Sequence, residues 1–226
     1  MLLAIDTSTR SMSIALHDGQ TLHAEQTWIA NNQHNTHLAP AIQAMLTACG
    51  IAPTALTALA VAQGPGSYTG LRIGIALAKG IAAARNLPLV GVATPDILAE
   101  AHPAATRARL IAAVDAGRGR IIAATYRWRK SAWNCTDEPQ LTNWSALLAS
   151  LESASYIVTG EIDAAAHALL AAPPEGVELQ IAAAALRARR AGFLAEAAQR
   201  RLALSANPAE EFAAARLLPV YLQTPE

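Results

Sequence analysis

Cysteine is scarce. The chain has two, Cys49 and Cys135, far apart and in no Cys-x-x-Cys pair. That excludes a disulfide-stapled scaffold and reads as two reduced thiols of a cytoplasmic protein. Net charge is missing as well: 17 Lys and Arg balance 17 Asp and Glu. A general nucleic-acid coat or an anionic-membrane binder needs a positive field, so neither fits, although a local basic patch stays open. No uninterrupted apolar run reaches the roughly 18 residues of a membrane span. The longest, IGIALAKGIAAA, contains Lys79 and two glycines. The opening MLLAID lacks the basic n-region and small-residue cleavage site of a secretory leader. Aromatics make up 4%. What fills the chain instead is small aliphatic residues, 53% hydrophobic overall with alanine commonest. That is enough for a sizeable core and excludes disorder.

The pattern reads as two α/β units. LLAID at 2–6 is a short buried strand. Two strand-like runs follow around Asp18-Gly19, a type I′ hairpin signal. Leu38, Ile42, Met45, Leu46 and Cys49 recur at helical spacing and predict a helix over 35–49, with Gly50 as its stop. Residues 56–63 are the next strand. A Gly-rich loop then opens a helix over 69–85, ended near Asn86 and Pro88. Residues 87–93 are another strand, and Pro95 starts a short helix. Around 102–109 the pattern restarts. LIAAVDAGRGRIIAATYRW is a strand, a tight Gly-containing turn and a strand; TNWSALLASL is a capped helix; SYIVTG is a strand; EIDAAAHALLAA is a helix. Residues 182–204 read as one long helix, and LLPVYLQ as a closing strand-like run. The expected division is 1–104 and 105–226, with the terminal segment able to pack back on the first lobe.

AQGPGSYTGLRIGIALAKG, Ala62 to Gly80, resembles a phosphate loop and matches none. No Gly-Lys pair exists for a Walker A loop, and Ser67 lacks the flanking glycines of a nucleophile elbow. Gly64, Gly66 and Gly70 are one residue too long for the dinucleotide fingerprint. The alternative is a sharp strand-to-helix turn with Ser67 or Thr69 as cap. Gly70, Gly74, Ala78 and Ala82 then form a small-residue stripe at i, i+4 spacing, beside Leu71 and Ile75. Interior glycines cost up to about 1 kcal/mol each in a helix, so the stripe reads as a helix–helix interface, internal or between subunits. A bulky residue at Gly74 is then expected to block association and leave the lobe folded.

Asp6 ends the first strand and is followed by Thr7, Ser8 and Thr9; Asp115 repeats this placement in the second unit. Paired aspartates of this kind hold nucleotide in actin-like ATPases. The turn DTSTRS contains no glycine, so its backbone cannot approach a phosphate closely. The competing assignment is an Asx or Ser/Thr turn. His34 and His37 stand at i, i+3 with no third ligand by spacing, so no metal is expected. Arg187, Arg189, Arg190, Arg200 and Arg201 fall on the expected long helix, as a solvated face or a tRNA-phosphate contact.

LLAIDTSTRSMSIAL, HNTHLAPAI, AQGPGSYTGLRIGIALAKGIA and LPLVGVAT, in that order, resemble the TsaB (YeaZ) family. The resemblance continues more weakly through AAVDAGRGRIIAATY and LPVYLQ. It implies an α/β, actin-like (ASKHA) fold of two RNase H-like lobes. It also implies a non-catalytic subunit that supports TsaD in making threonylcarbamoyladenosine in tRNA, with a TsaE ATPase as third partner. A homodimer when alone, tRNA contact only through the complex, no membrane and no cofactor complete the expectation. The metal-binding histidine pair of the catalytic relative aligns with Thr94 and Leu98, neither of which replaces an imidazole. The partner contact implied is a bundle of the first lobe's two helices, through Leu38, Ile42, Met45, Gly70, Leu71, Gly74, Ile75, Ala78 and Ala82. Asp6, Thr7, Ser8, Thr9 and Asp115 are expected to form a vestigial nucleotide site. The alternative is a self-standing actin-like ATPase or a carbamoyl or acyl transferase.

Overall fold

The computed structural model describes residues 1–30 and 33–222. Contacts divide it into two units, 1–97 with 189–221, and 98–188 with Leu222.

The first unit is built on a five-stranded sheet. Its strands are β1 (Leu2–Asp6), β2 (Ser11–His17), β3 (Leu22–Ile29), β4 (Ala58–Gly64) and β5 (Leu89–Ala93), in the order β3-β2-β1-β4-β5. β1 pairs antiparallel with β2 and parallel with β4. This is a hairpin-led sheet that turns parallel, the RNase H-like arrangement. Side chains alternate along each strand, so the sheet has two apolar faces. Leu3, Ile5, Met12, Ile14, Leu59 and Val61 face helices α1 (His34–Ala48) and α2 (Tyr68–Arg85). Leu2, Ala4, Ala15, Ala60, Val90 and Val92 face helix α7 (Ala191–Leu204) through Leu194, Ala195 and Ala198. Small residues on both sides of that second layer let the helix lie close.

The short helix α3 (Thr94–Glu100) follows β5 and spans the division between the units. The second unit has β6 (Arg109–Gly117), β7 (Arg120–Arg129), β8 (Ala132–Cys135), β9 (Gln140–Thr142), β10 (Ser155–Gly160) and β11 (Glu178–Ile181). Their order is β11-β10-β6-β7-β8, with β9 also on β7. Helices α4 (Trp144–Ser150) and α5 (Ala164–Leu170) cover one face through Trp144, Leu148, Ala166 and Leu170. Asn143 and Asp163 cap them, accepting from Ala146 and Ala166 N–H at 2.9 and 2.8 Å. The remaining helices are α6 (Ala184–Arg187) and α8 (Pro208–Glu211). Among the described residues no helix is long and apolar enough to cross a membrane.

Three local expectations changed. The first hairpin does not use a two-residue turn. The Asp18 carboxylate accepts from Gln20 and Thr21 N–H at 2.8 and 2.7 Å and holds a four-residue loop. The I′ geometry belongs to the second hairpin, where Arg118 and Gly119 both have positive φ, 57° and 71°. The single helix over 182–204 is two, because residues 188–190 leave the helix to deliver Arg189 inward. Residues 217–222 form no strand; Val220 N–H donates once to the Gln63 carbonyl at 2.8 Å, and Gln223 lies outside the described residues. The terminal segment up to Tyr221 groups with the first unit.

Candidate functional site

Strand β1 ends at Asp6, and the chain turns through Thr7, Ser8 and Thr9 into β2. All four residues are buried, Asp6 and Ser8 fully. A buried carboxylate needs donors. Ser8 supplies two to Oδ1, from its N–H at 2.8 Å and its Oγ–H at 2.6 Å. Arg189 Nε donates to Oδ2 at 3.0 Å, and the same guanidinium donates to Thr9 Oγ1. Arg189 arrives from the chain just before α7, whose N-terminal amides are held by the sheet. Ala191 N–H donates to Ser13 Oγ at 2.8 Å, and Gly192 N–H to Glu25 Oε1 at 2.6 Å. Those acceptors satisfy donors that a helix start otherwise leaves open.

Helix α2 closes the turn from the other side. Ser67 caps it, accepting from Gly70 N–H at 3.2 Å, while Ser67 N–H donates to the Ser8 carbonyl at 2.6 Å. Thr7 Oγ1 donates to the Gly70 carbonyl at 2.8 Å. A Cβ at Gly66 would run into the Ser8 carbonyl, one at Gly70 into the Thr7 carbonyl, and one at Gly74 into Thr7 Oγ1. These glycines exist so that the helix backbone can lie on the turn. His34 Nε2 donates to the Thr9 carbonyl at 2.7 Å, so this buried histidine braces the same turn. His37 is exposed. Among the described residues no group of three or more His, Cys, Asp or Glu side chains is placed to hold a metal.

The structure brings together Asp6, Thr7, Ser8 and Thr9 with Arg189, which the sequence did not single out as a site residue. Read from the sequence, the arginine run is a solvated or tRNA-facing stripe. Instead Arg189 is buried, Arg190 Nε donates to Glu25 at 2.7 Å, and Arg187 donates to His167 Nε2 at 3.1 Å. Asp115 belongs to the second unit, where its Oδ1 accepts from Gly117 N–H at 2.9 Å in a local Asx turn. Thr94 and Leu98 are fully buried.

The residues expected at a partner surface need a correction. Leu38, Ile42, Met45, Gly70, Leu71, Gly74, Ile75, Ala78 and Ala82 are all buried within the first unit. The apolar side of each helix packs on its own sheet, and the glycine stripe faces the 6–9 turn and not a second helix. The outward sides carry Ala39, Pro40, Gln43 and Ala44 on α1, and Arg72, Ala76, Gly80 and Ala83 on α2.

Residues 26–215 match a family model described as TsaD: tRNA N6-adenosine threonylcarbamoyltransferase. The chain belongs to this family, in its TsaB (YeaZ) branch. It is 39% identical over 127 residues to the tRNA threonylcarbamoyladenosine biosynthesis protein TsaB of Escherichia coli, covering 56% of this chain and 54% of that one. It is 36% identical over 128 residues to TsaB of Bacillus subtilis, covering 57% and 56%. The chain thus spans about half the length of the curated relatives it matches. YeaZ from Pseudomonas aeruginosa superposes with a TM-score of 0.77 at 27% identity, over 98% of this chain and 99% of that one. The fold is α/β and actin-like in class, with two RNase H-like sheets.

Proposed function

We propose that this chain is a non-catalytic partner of a TsaD-type threonylcarbamoyltransferase, supporting formation of threonylcarbamoyladenosine at adenosine 37 of tRNA. The observation that carries this is the occupied turn at Asp6. Its carboxylate is neutralised by Arg189 and hydrogen-bonded on both oxygens. The space beside it is closed by the backbone of α2. A nucleotide-binding turn keeps a carboxylate open to magnesium-bound water and backbone amides open to phosphate; here both face protein.

The side chains at Thr94 and Leu98 point the same way, since neither holds a metal in place of two histidines. The expected complex pairs this chain with a TsaD homologue and adds a TsaE homologue, and tRNA is met through the assembly. Alone, the chain forms a homodimer. In this proposal the two helices α1 and α2 still carry the partner contact, through their outward sides, and the nine buried residues set the shape of that surface from beneath.

The deciding experiment is a threonylcarbamoylation assay with the TsaD and TsaE of the same organism, with and without this chain, together with co-purification. Loss of product without this chain, and a stable complex with it, are the expected results. The competing assignment is a self-standing ATPase or carbamoyl transferase. Tight ATP and magnesium binding with hydrolysis by the isolated chain, measured by calorimetry and phosphate release, would overturn the non-catalytic role.

A further inference from the structure

The second unit holds a polar cavity of about 690 Å³, within the range of small-ligand sites. Its floor is a row across the sheet. Tyr156 on β10 stands opposite Arg109 on β6, and Arg127 on β7 stands opposite Asn134 on β8. Leu110 pairs with Tyr126, so in this antiparallel register Arg109 and Arg127 face each other directly. Two like charges opposite each other on one sheet face destabilise it unless something compensates.

Arg109 is compensated. It donates to Glu152 at 2.8 Å and to Tyr156 Oη at 3.1 Å, and the Glu152 bond raises its pKa above the ordinary arginine value. Arg127 is not: its guanidinium has no ion-pair or hydrogen-bond partner among the described residues, though it is only half exposed to the cavity. Arg129, two residues on and on the same face, lines the cavity too; it is exposed and likewise has no ion-pair or hydrogen-bond partner for its guanidinium among the described residues. The facing carboxylates are Asp137, Glu138 and Glu152. Glu152 is held by Arg109, and Asp137 accepts from Thr136 Oγ1 at 2.9 Å. The lining therefore balances in number, three guanidiniums to three carboxylates, but only Arg109 and Glu152 form an ion pair, and Arg127 and Arg129 are left without a partner among the described residues.

We propose that this cavity binds a small phosphorylated molecule, with Arg127 and Arg129 on its phosphate. Guanidinium matches phosphate bidentately. Thr125 and Gln140, which line the same floor, offer further polar contacts. The site is independent of the reading of the Asp6 turn and of the partner helices.

Titration of the full chain with pyrophosphate and with adenosine 5′-monophosphate tests this, by calorimetry and by amide chemical-shift mapping. Citrate serves as the carboxylate control. Saturable binding is expected, with shifts centred on Thr125, Arg127, Asn134 and Gln140, and with citrate weaker. Arg127→Gln should weaken binding about tenfold, and Arg127→Lys less, because charge remains and the fork is lost. Circular dichroism of each variant checks folding, and Arg129→Gln gives a second, more exposed position. No saturable binding, binding unchanged in both glutamine variants, or citrate equal to pyrophosphate would each overturn the proposal.

Discussion

Arg189 and Asp6, 183 positions apart, meet at 3.0 Å with side chains only 2% and 1% exposed. Removing one member of a buried pair leaves a charge with no counter-ion, at about 3–5 kcal/mol. Replacing both by apolar groups of similar size is often neutral. Arg189→Met is therefore expected to lower unfolding free energy by about 3–5 kcal/mol, and Asp6→Leu with Arg189→Met to recover most of it. Denaturant titration of the two single variants and the double variant checks this. A single Arg189→Met variant as stable as the parent would mean that the pair does not hold the turn.

The glycines of α2 separate by what a methyl group would meet. At Gly74 it strikes Thr7 Oγ1, and at Gly80 nothing lies within 4 Å. Gly74→Ala should destabilise by about 1–3 kcal/mol through overpacking. Gly80→Ala should stabilise by up to about 1 kcal/mol through helix propensity. Opposite shifts in melting temperature are the expected outcome. This replaces the expectation that a bulky residue at Gly74 leaves the lobe folded.

His102 gives the second unit a pH dependence. Its ring is hydrogen-bonded to Thr159 Oγ1 at 2.8 Å, and burial pushes its pKa below 6.5. In the window between that lowered value and 6.5 the unfolded chain binds more protons than the folded one, so stability rises with pH. The contribution is complete above 6.5, falls as pH drops through that window, and is lost below it. Thermal unfolding of the parent and of His102→Gln from pH 5 to 8 should show a shallower slope in the variant. Parallel curves would assign the dependence elsewhere.

Much of this architecture was legible. Strand alternation, the 3.6-residue repeat of Leu38, Ile42 and Met45, and the cap at Ser67 are local signals, and local geometry obeyed them. Arg189 was not legible. A run of arginines gives charge and spacing, but the carboxylate that draws one of them inward lies at the other end of the chain. β8 and β9 are short and mixed in polarity, so neither periodicity marks them. The stripe on α2 was seen correctly as a close-approach device. Its target was mistaken because a small-residue face fits a turn of the same lobe as well as it fits a foreign helix.

That distinction decides how the partner contact should be tested. Variants at Gly70, Gly74 or Ile75 disturb the first unit's own core, so a lost complex would say nothing about docking. Ala44 on α1 and Ala76 on α2 are exposed. A glutamate there changes little within the fold, because surface substitutions stay within about 0.5 kcal/mol. Placed under a partner helix, the same glutamate is buried as a charge without a counter-ion, which costs several kcal/mol. Ala76→Glu and Ala44→Glu are thus expected to keep the parent's melting temperature and to weaken association with the TsaD homologue at least tenfold. Size-exclusion chromatography and calorimetry with the purified partner read both quantities. An intact complex from the folded Ala44→Glu, Ala76→Glu double variant would move the contact off these two helices.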